Sequence, residues 1–306
     1  MSWSTLTAAS KARVLGLVLS CVLVISSLTV LSVKGLNFGL DFTGGYITEI
    51  NTTSVTTITD LKTKLSPEVA SKLTITKAGE YHFVLREAPE ASKASTWQAE
   101  LNEQGVDYGV LSSSFLGSQV GDELFEQGCL ALFAAMIAIM VYLAMRFEWR
   151  LALGSVVALL HDLTLVLGLF SLLGLEFNLT VLASLLAIIG YSLNDSIIVG
   201  DRVRELLRIQ PDNQRINTHV VINDAIGSTL TRTLITSGTT LATIACIWLL
   251  AGAALTGFAI ALFAGIVVGT FSSICIAATL PQLLGLSSQN YTQTLDDKTK
   301  AYMDMP

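Results

Sequence analysis

The chain has 306 residues, of which 52% are hydrophobic and only 14% charged. Soluble domains carry about a quarter charged residues, so much of this chain is suited to lipid, and a net charge of −6 gives no footing for nucleic-acid binding. Its four cysteines (Cys21, Cys129, Cys246 and Cys275) fall in apolar runs without metal-ligand spacing, so neither a disulfide nor a metal site is expected.

Residues 1–13 read as a cytoplasmic N-terminus. The apolar run at 14–33 follows Lys11 and Arg13. It is too long for a signal-peptide core and lacks a small-residue cleavage site, so it reads as a retained span. Residues 34–127 are polar enough to fold in water. A strand is predicted at 46–51, then a helix at 54–65 capped by Ser54 or Thr57. Strands at 73–77 and 81–85 join through Ala78-Gly79-Glu80. A helix at 92–104 is stopped by Gly105, and a last strand covers 106–115. This β-α-β-β-α-β order predicts a small α+β ferredoxin-like domain. Residues 128–286 hold five more spans, at 128–145, 151–174, 177–199, 232–253 and 255–286, and 287–306 form a C-terminal tail. The fold class is an α-helical membrane protein with six transmembrane helices and one small outer domain.

Lysine and arginine favour short cytoplasmic loops. Lys11, Arg13, Arg146, Arg150, Arg202, Arg204, Arg208, Arg215, Lys298 and Lys300 share one side, while the loops at Leu175-Glu176 and Gly252-Ala253 carry none. Both termini are therefore predicted in the cytoplasm and 34–127 on the opposite, periplasmic side.

Polar residues inside the spans are the candidates for chemistry. His161 and Asp162 interrupt the third span. Adjacent helix positions point in different directions, so the two are not expected to face one partner. His161 reads as a hydrogen-bonded packing residue and Asp162 as a candidate for an ion path. Asp195 interrupts the fourth span. A carboxylate at the centre of a span costs about 2.5–3.5 kcal/mol and is expected to face the bundle interior or a water cavity. The plainer alternative puts Asp195 near the cytoplasmic end, snorkelling. Arg232 starts the fifth apolar run, where the positive-inside bias alone accounts for it. A helix starting nearer Asn223 would bring it to the depth of Asp195 on the antiparallel neighbour. Ala261, Gly265 and Gly269, four apart, read as a helix-packing face. The sequence holds no Walker A loop and no Ser-His-Asp arrangement of plausible spacing, so it reads as non-enzymatic.

The block Phe38-Gly39-Leu40-Asp41-Phe42-Thr43-Gly44-Gly45 reads from its residues alone as a membrane-exit loop. It also resembles the signature of the SecD/SecF family, part of the resistance-nodulation-division superfamily. Three further blocks agree in order: Val120-Gly121-Asp122-Glu123-Leu124; Gly190-Tyr191-Ser192-Leu193-Asn194-Asp195 with Asp201-Arg202-Val203-Arg204-Glu205; and Arg232-Thr233-Leu234-Ile235-Thr236-Ser237-Gly238. The similarity runs to about residue 286. The tail after Ser288 matches no family pattern, and Gly200 stands where the family often has a larger residue.

The resemblance implies one six-span half of a two-half device in the bacterial inner membrane. SecD would be the other half, SecYEG the channel assisted, and YajC a further partner. It implies that Asp195 and Arg232 are the intramembrane aspartate and arginine of an ion pathway, and His161-Asp162 matches a His-Asp pair of the family, making Asp162 a third candidate. The coupling ion would be H+ or Na+, with no cofactor, and its flow would move outer domains that pull or release the translocating polypeptide. The family motif at the membrane exit comprises Phe38, Gly39, Asp41, Phe42, Gly44 and Gly45. Spans four to six are expected to turn small-residue faces to the partner. Two alternatives stand beside this reading. Half of a small-molecule exporter would want a larger outer domain than 34–127, and a scaffold would have no use for carboxylates in lipid.

Overall fold

The structure, a computed structural model, describes residues 7–55, 57–87, 96–208 and 218–286. The predicted tail, Arg215 and the start of the helix expected at 92–104 lie outside the described residues. Thr7 caps α1 (Ala8–Lys34) by accepting the Ser10 amide, and Gly35 ends the helix with φ 69°. The chain then passes through β1 (Asn37–Phe38) and the one-turn helix α2 (Leu40–Thr43) into the outer domain.

The outer domain runs β2 (Gly45–Thr52), α3 (Ile58–Thr63), α4 (Pro67–Lys72), β3 (Leu73–Lys77), β4 (His82–Glu87), α5 (Thr96–Glu103) and β5 (Tyr108–Leu116). Its sheet has the order β3-β4-β2-β5 with every pair antiparallel, which is the ferredoxin-like arrangement. Alternation along β4 buries Phe83 and Leu85 with Ile50, Leu61, Trp97 and Leu101 in one core. The helix expected over 54–65 is shorter, and a second follows it. Thr57 caps the first helix, and Ser66 with Pro67 starts the second, because proline fits a first turn but not a helix interior. Strand β5 forms a sheet edge with Val110, Leu111 and Phe115 exposed.

Five more long helices follow: α6 (Ser118–Arg146), α7 (Trp149–Leu173), α8 (Leu179–Arg208), α9 (Thr218–Leu250) and α10 (Ala253–Ser272), with the two-residue strand β6 (Glu176–Phe177) between α7 and α8. A π-helical turn (Ser273–Ala277) and α11 (Leu280–Leu283) complete the last crossing. Among the described residues, six helices are long and apolar enough to cross a membrane. Apolar runs understate their lengths: Glu and Arg, which support a helix nearly as well as Leu does, extend α6 and α8, and α9 starts in a polar stretch without them. Thus α6 begins well before residue 128, α8 continues to Arg208, and α9 begins at Thr218 rather than at Arg232.

Helices α7, α8 and α10 form the buried centre. The small-residue face of α10 is used inside the chain: Gly257 lies against Val181, Gly265 against Ile188 and Gly269 against Ser192. This corrects the expectation that α10 offers that face to a partner, since close approach to α8 consumes it. At the end away from the outer domain, Arg146 and Arg204 both pair with Asp201 at 2.8 Å, and both lie over Phe147. A Cβ at Gly200 would meet that ring at an ordinary 3.6 Å, so the ring does not account for the departure noted at this position.

Candidate functional site

The glycine-rich block is a three-way join rather than a loop. Asn37 and Phe38 pair in parallel with Glu176 and Phe177. The turn of α2 then places Asp41 so that its Oδ2 accepts the Leu179 amide at 3.0 Å. Leu179 opens α8, whose cap residue Asn178 accepts from Val181 at 3.1 Å, so two acceptors hold that helix start. Phe38, Phe42, Phe125 and Phe177 pack together, with centroids 5.4–6.2 Å apart. Gly44 has φ 71°, and a Cβ there would stand 2.8 Å from the Ser118 amide, so no other residue fits without movement. Gly39 and Gly121 make similar close approaches, to Glu176 and to the Phe42 carbonyl. Gly45 lies against the carbonyl of Glu87. Arg86 of β4 adds an ion pair to Glu176 at 2.9 Å. The outer sheet is thereby tied to the first turn of the helix that carries Asp195.

Asp195 lies within α8, 1% exposed, and neither carboxylate oxygen has a hydrogen-bond partner. It does not snorkel. The hydroxyls of Ser196 and Thr233 are buried beside no partner either. Ser237 of α9 stands next to Asp195, its hydroxyl bonded to Thr270 of α10 at 2.8 Å. Higher on the same pair of helices, the Tyr191 hydroxyl meets Thr240 Oγ1 at 3.3 Å. Arg232 sits inside α9 and faces outward, within electrostatic reach of Asp195 but without a hydrogen bond to it. The predicted similarity of depth holds in this geometry, but no contact joins the two side chains.

Asp162 is placed differently. It is fully buried and bonded by His161 Nδ1 at 2.9 Å, by Ser192 Oγ and by Ser272 Oγ. The side chains of His161 and Asp162 curl toward each other, and His161 is hydrogen-bonded as its packing role implies. Asp162 therefore bridges α7, α8 and α10, while Asp195 faces α9. Ser192 lay inside a quoted sequence block, but Ser272 in its apolar run carried no signal of its role.

Residues 96–287 match the family model of the protein export membrane protein SecD/SecF C-terminal region, and residues 29–53 match that of the SecD/SecF GG motif. The chain belongs to the SecD/SecF family. The Vibrio alginolyticus protein translocase subunit SecF is similar, 38% identical over 294 residues, covering 94% of this chain and 92% of that protein. The Escherichia coli O157:H7 protein of the same name is 38% identical over 291 residues, covering 92% and 89%. Among solved structures, Thermus thermophilus SecDF, described as a translocon-associated membrane protein, is similar with a TM-score of 0.78 at 31% identity over 93% of this chain. SecDF in a super-membrane-facing form gives 0.67 at 31% identity over 97%. This chain spans 39% of the length of each of those SecDF chains. Family membership and six apolar helices make it a multi-pass membrane protein.

Proposed function

We infer that the chain is a non-catalytic accessory subunit of the Sec protein-export machinery, and that cation movement past Asp195 drives its outer domain. The naming of its relatives as protein translocase subunits supports the first part. The observation that carries the second is Asp195, a membrane-buried carboxylate with both oxygens unbonded. Leaving a charged acceptor unsatisfied costs several kcal/mol, at or above the ~1–3 kcal/mol for a neutral group. A proton or sodium ion that arrives there relieves this cost. The join through Asp41, Arg86 and Glu176 supplies the mechanical link from α8 to the outer sheet.

The reading includes a SecD partner. Ala183, Ala187, Gly190 and Asn194 form an exposed small or polar stripe on α8, and Arg232 is exposed on α9 beside it. Lipid suits neither, whereas a second six-helix half suits both. The free β5 edge is suited to the partner's outer domain. The SecYEG channel, YajC and the translocating polypeptide complete the proposed set, in the bacterial inner membrane with both termini in the cytoplasm. Arg146, Arg150, Arg202 and Arg204 gathered at the end away from the outer domain favour that orientation.

The test is gradient-stimulated export of a secreted precursor by inner-membrane vesicles containing the chain and its partner. Asp195→Asn keeps the volume and removes the charge. It should assemble normally and lose the stimulation, whereas full stimulation by this variant would refute the proposal.

A further inference from the structure

Asp162 is buried at the centre of α7 with no lysine or arginine paired to it among the described residues. A buried carboxylate without a counter-charge is strongly disfavoured. His161 is its one ion-pair candidate, through Nδ1. Yet His161 Nε2 is itself buried and has no hydrogen-bond partner. A doubly protonated ring would bury an N–H there with no acceptor, whereas a neutral ring donating from Nδ1 leaves only a lone pair. The second arrangement is the cheaper one, and it leaves the charge of Asp162 uncompensated by protein.

The groups around Asp162 are those a hard cation uses. One carboxylate oxygen, Oδ2, accepts from both the Ser192 and the Ser272 hydroxyls, from α8 and α10, while Oδ1 meets His161 Nδ1. Those hydroxyls now donate to the carboxylate, but Ser272 has a second acceptor in the Gly269 carbonyl at 3.1 Å. Turning its hydrogen there frees a lone pair toward the carboxylate. Gly269 places no side chain in the way, and the π-helical turn begins directly after Ser272, where the backbone is wider than an α-helix.

We propose that Asp162, Ser192 and Ser272 form a second binding site for a monovalent cation, a proton or a sodium ion, separate from Asp195. The site deepens, and rests on, the cation-driven reading above. Ser192 and Asp195 are three residues apart on α8, about 4.5 Å along the axis. Helix α8 thus carries Asp195 itself and, less than one turn away, the Ser192 hydroxyl that holds Asp162 of α7. Other titratable groups on the packed elements are His161 on α7, Asp195 on α8, Cys275 on the π-helical turn, and Cys21 on α1, which lines a pocket with His161. Because Asp162 holds three helices together, exchanging hydroxyl hydrogens for a cation changes what binds α7 to α8 and α10.

The test uses the full chain in lipid nanodiscs, with radioactive sodium chloride as one probe and pH-difference infrared spectroscopy without sodium as the other. If the cation is sodium, the wild type and Asp195→Asn retain a saturable sodium site. Asp162→Asn loses it, and Ser192→Ala with Ser272→Ala weakens it about tenfold or more. If the cation is a proton, a carboxylic C=O band that titrates survives Asp195→Asn, vanishes in Asp162→Asn and shifts in the serine variants. Neither sodium binding nor an Asp162 band would overturn the proposal and leave Asp162 a permanently ionised anchor. Should Asp162→Asn fail to fold, the serine variants carry the same two readouts. Binding is read without any gradient, so a chain that binds a cation at Asp162 yet drives no export would fail the functional reading and not this one.

Discussion

Asp41→Ala removes one of the two acceptors at the start of α8. The Leu179 amide, now bonded to Asp41 Oδ2 at 3.0 Å, loses its partner. Losing an N-terminal cap costs about 0.5–2 kcal/mol, typically near 1. Asn178 still accepts from Val181, so the middle of that range applies, about 1 kcal/mol or a fivefold shift between capped and frayed ends. Asp41→Asn keeps an oxygen in place and caps about equally well. It forfeits only the attraction of a carboxylate to the helix dipole, about 0.3–1 kcal/mol. Amide hydrogen exchange of the peptide around Leu179, measured on the full chain in nanodiscs, reads the difference. Exchange should be roughly fivefold faster in Asp41→Ala and rise less, about twofold, in Asp41→Asn. If Asn is as fast as Ala, charge rather than capping holds the helix. If neither variant differs from wild type, the join does not hold α8, and the link from outer domain to Asp195 fails.

The Arg86–Glu176 pair is about three-quarters buried, so either single charge reversal, which sets two like charges together, should cost more than the ~1 kcal/mol of an exposed pair. Exchanging both charges should restore the docking of the outer domain, read by cross-linking between β4 and the α7–α8 loop; a double variant no better than the singles would show that the pair does not form. Burial pushes the Glu87 carboxyl above its ordinary range, opposed by a hydrogen bond to Trp97. The folded chain therefore holds this proton more tightly than the unfolded one. Its contribution is complete below the usual carboxylate range and disappears as pH rises through the raised folded value. Glu87→Gln should stabilise the outer domain near neutral pH and flatten its pH dependence in thermal unfolding, and an unchanged dependence would exclude Glu87 as its source.

The spans were legible because apolar runs are long enough to cross lipid, and the outer domain because its strands alternate around turn residues. Helix ends were only partly legible. Asp201, Arg202 and Glu205 continue α8 in water, and α9 begins at Thr218, before its apolar run, so that of the two starts open for this helix the earlier one, with Arg232 inside it, is found. Asp195 stood out because a carboxylate among apolar residues is rare. The partners of Asp162 did not, since serine in a membrane helix usually bonds its own backbone and so announces nothing. The β1–β6 pair was hidden for another reason: two residues carry no periodicity, and their register comes from chain ends brought together only by the complete fold.

The same pair sets a clock on the making of the protein. Asp41 and Leu179 lie 138 residues apart, and β1 likewise waits for β6. At about 5–20 residues per second, the ribosome needs roughly 7–30 s to supply that stretch. The last strand ends at Leu116, so for the final ~63 residues of that stretch, roughly 3–13 s, every strand of the outer sheet has been made while β1 still lacks β6 and Asp41 still lacks Leu179. The crossing of α7 delivers the missing seat. Assembly is therefore ordered, with the domain folding first and docking last, and a ribosome that stalls before α8 strands a finished domain on an unfinished base.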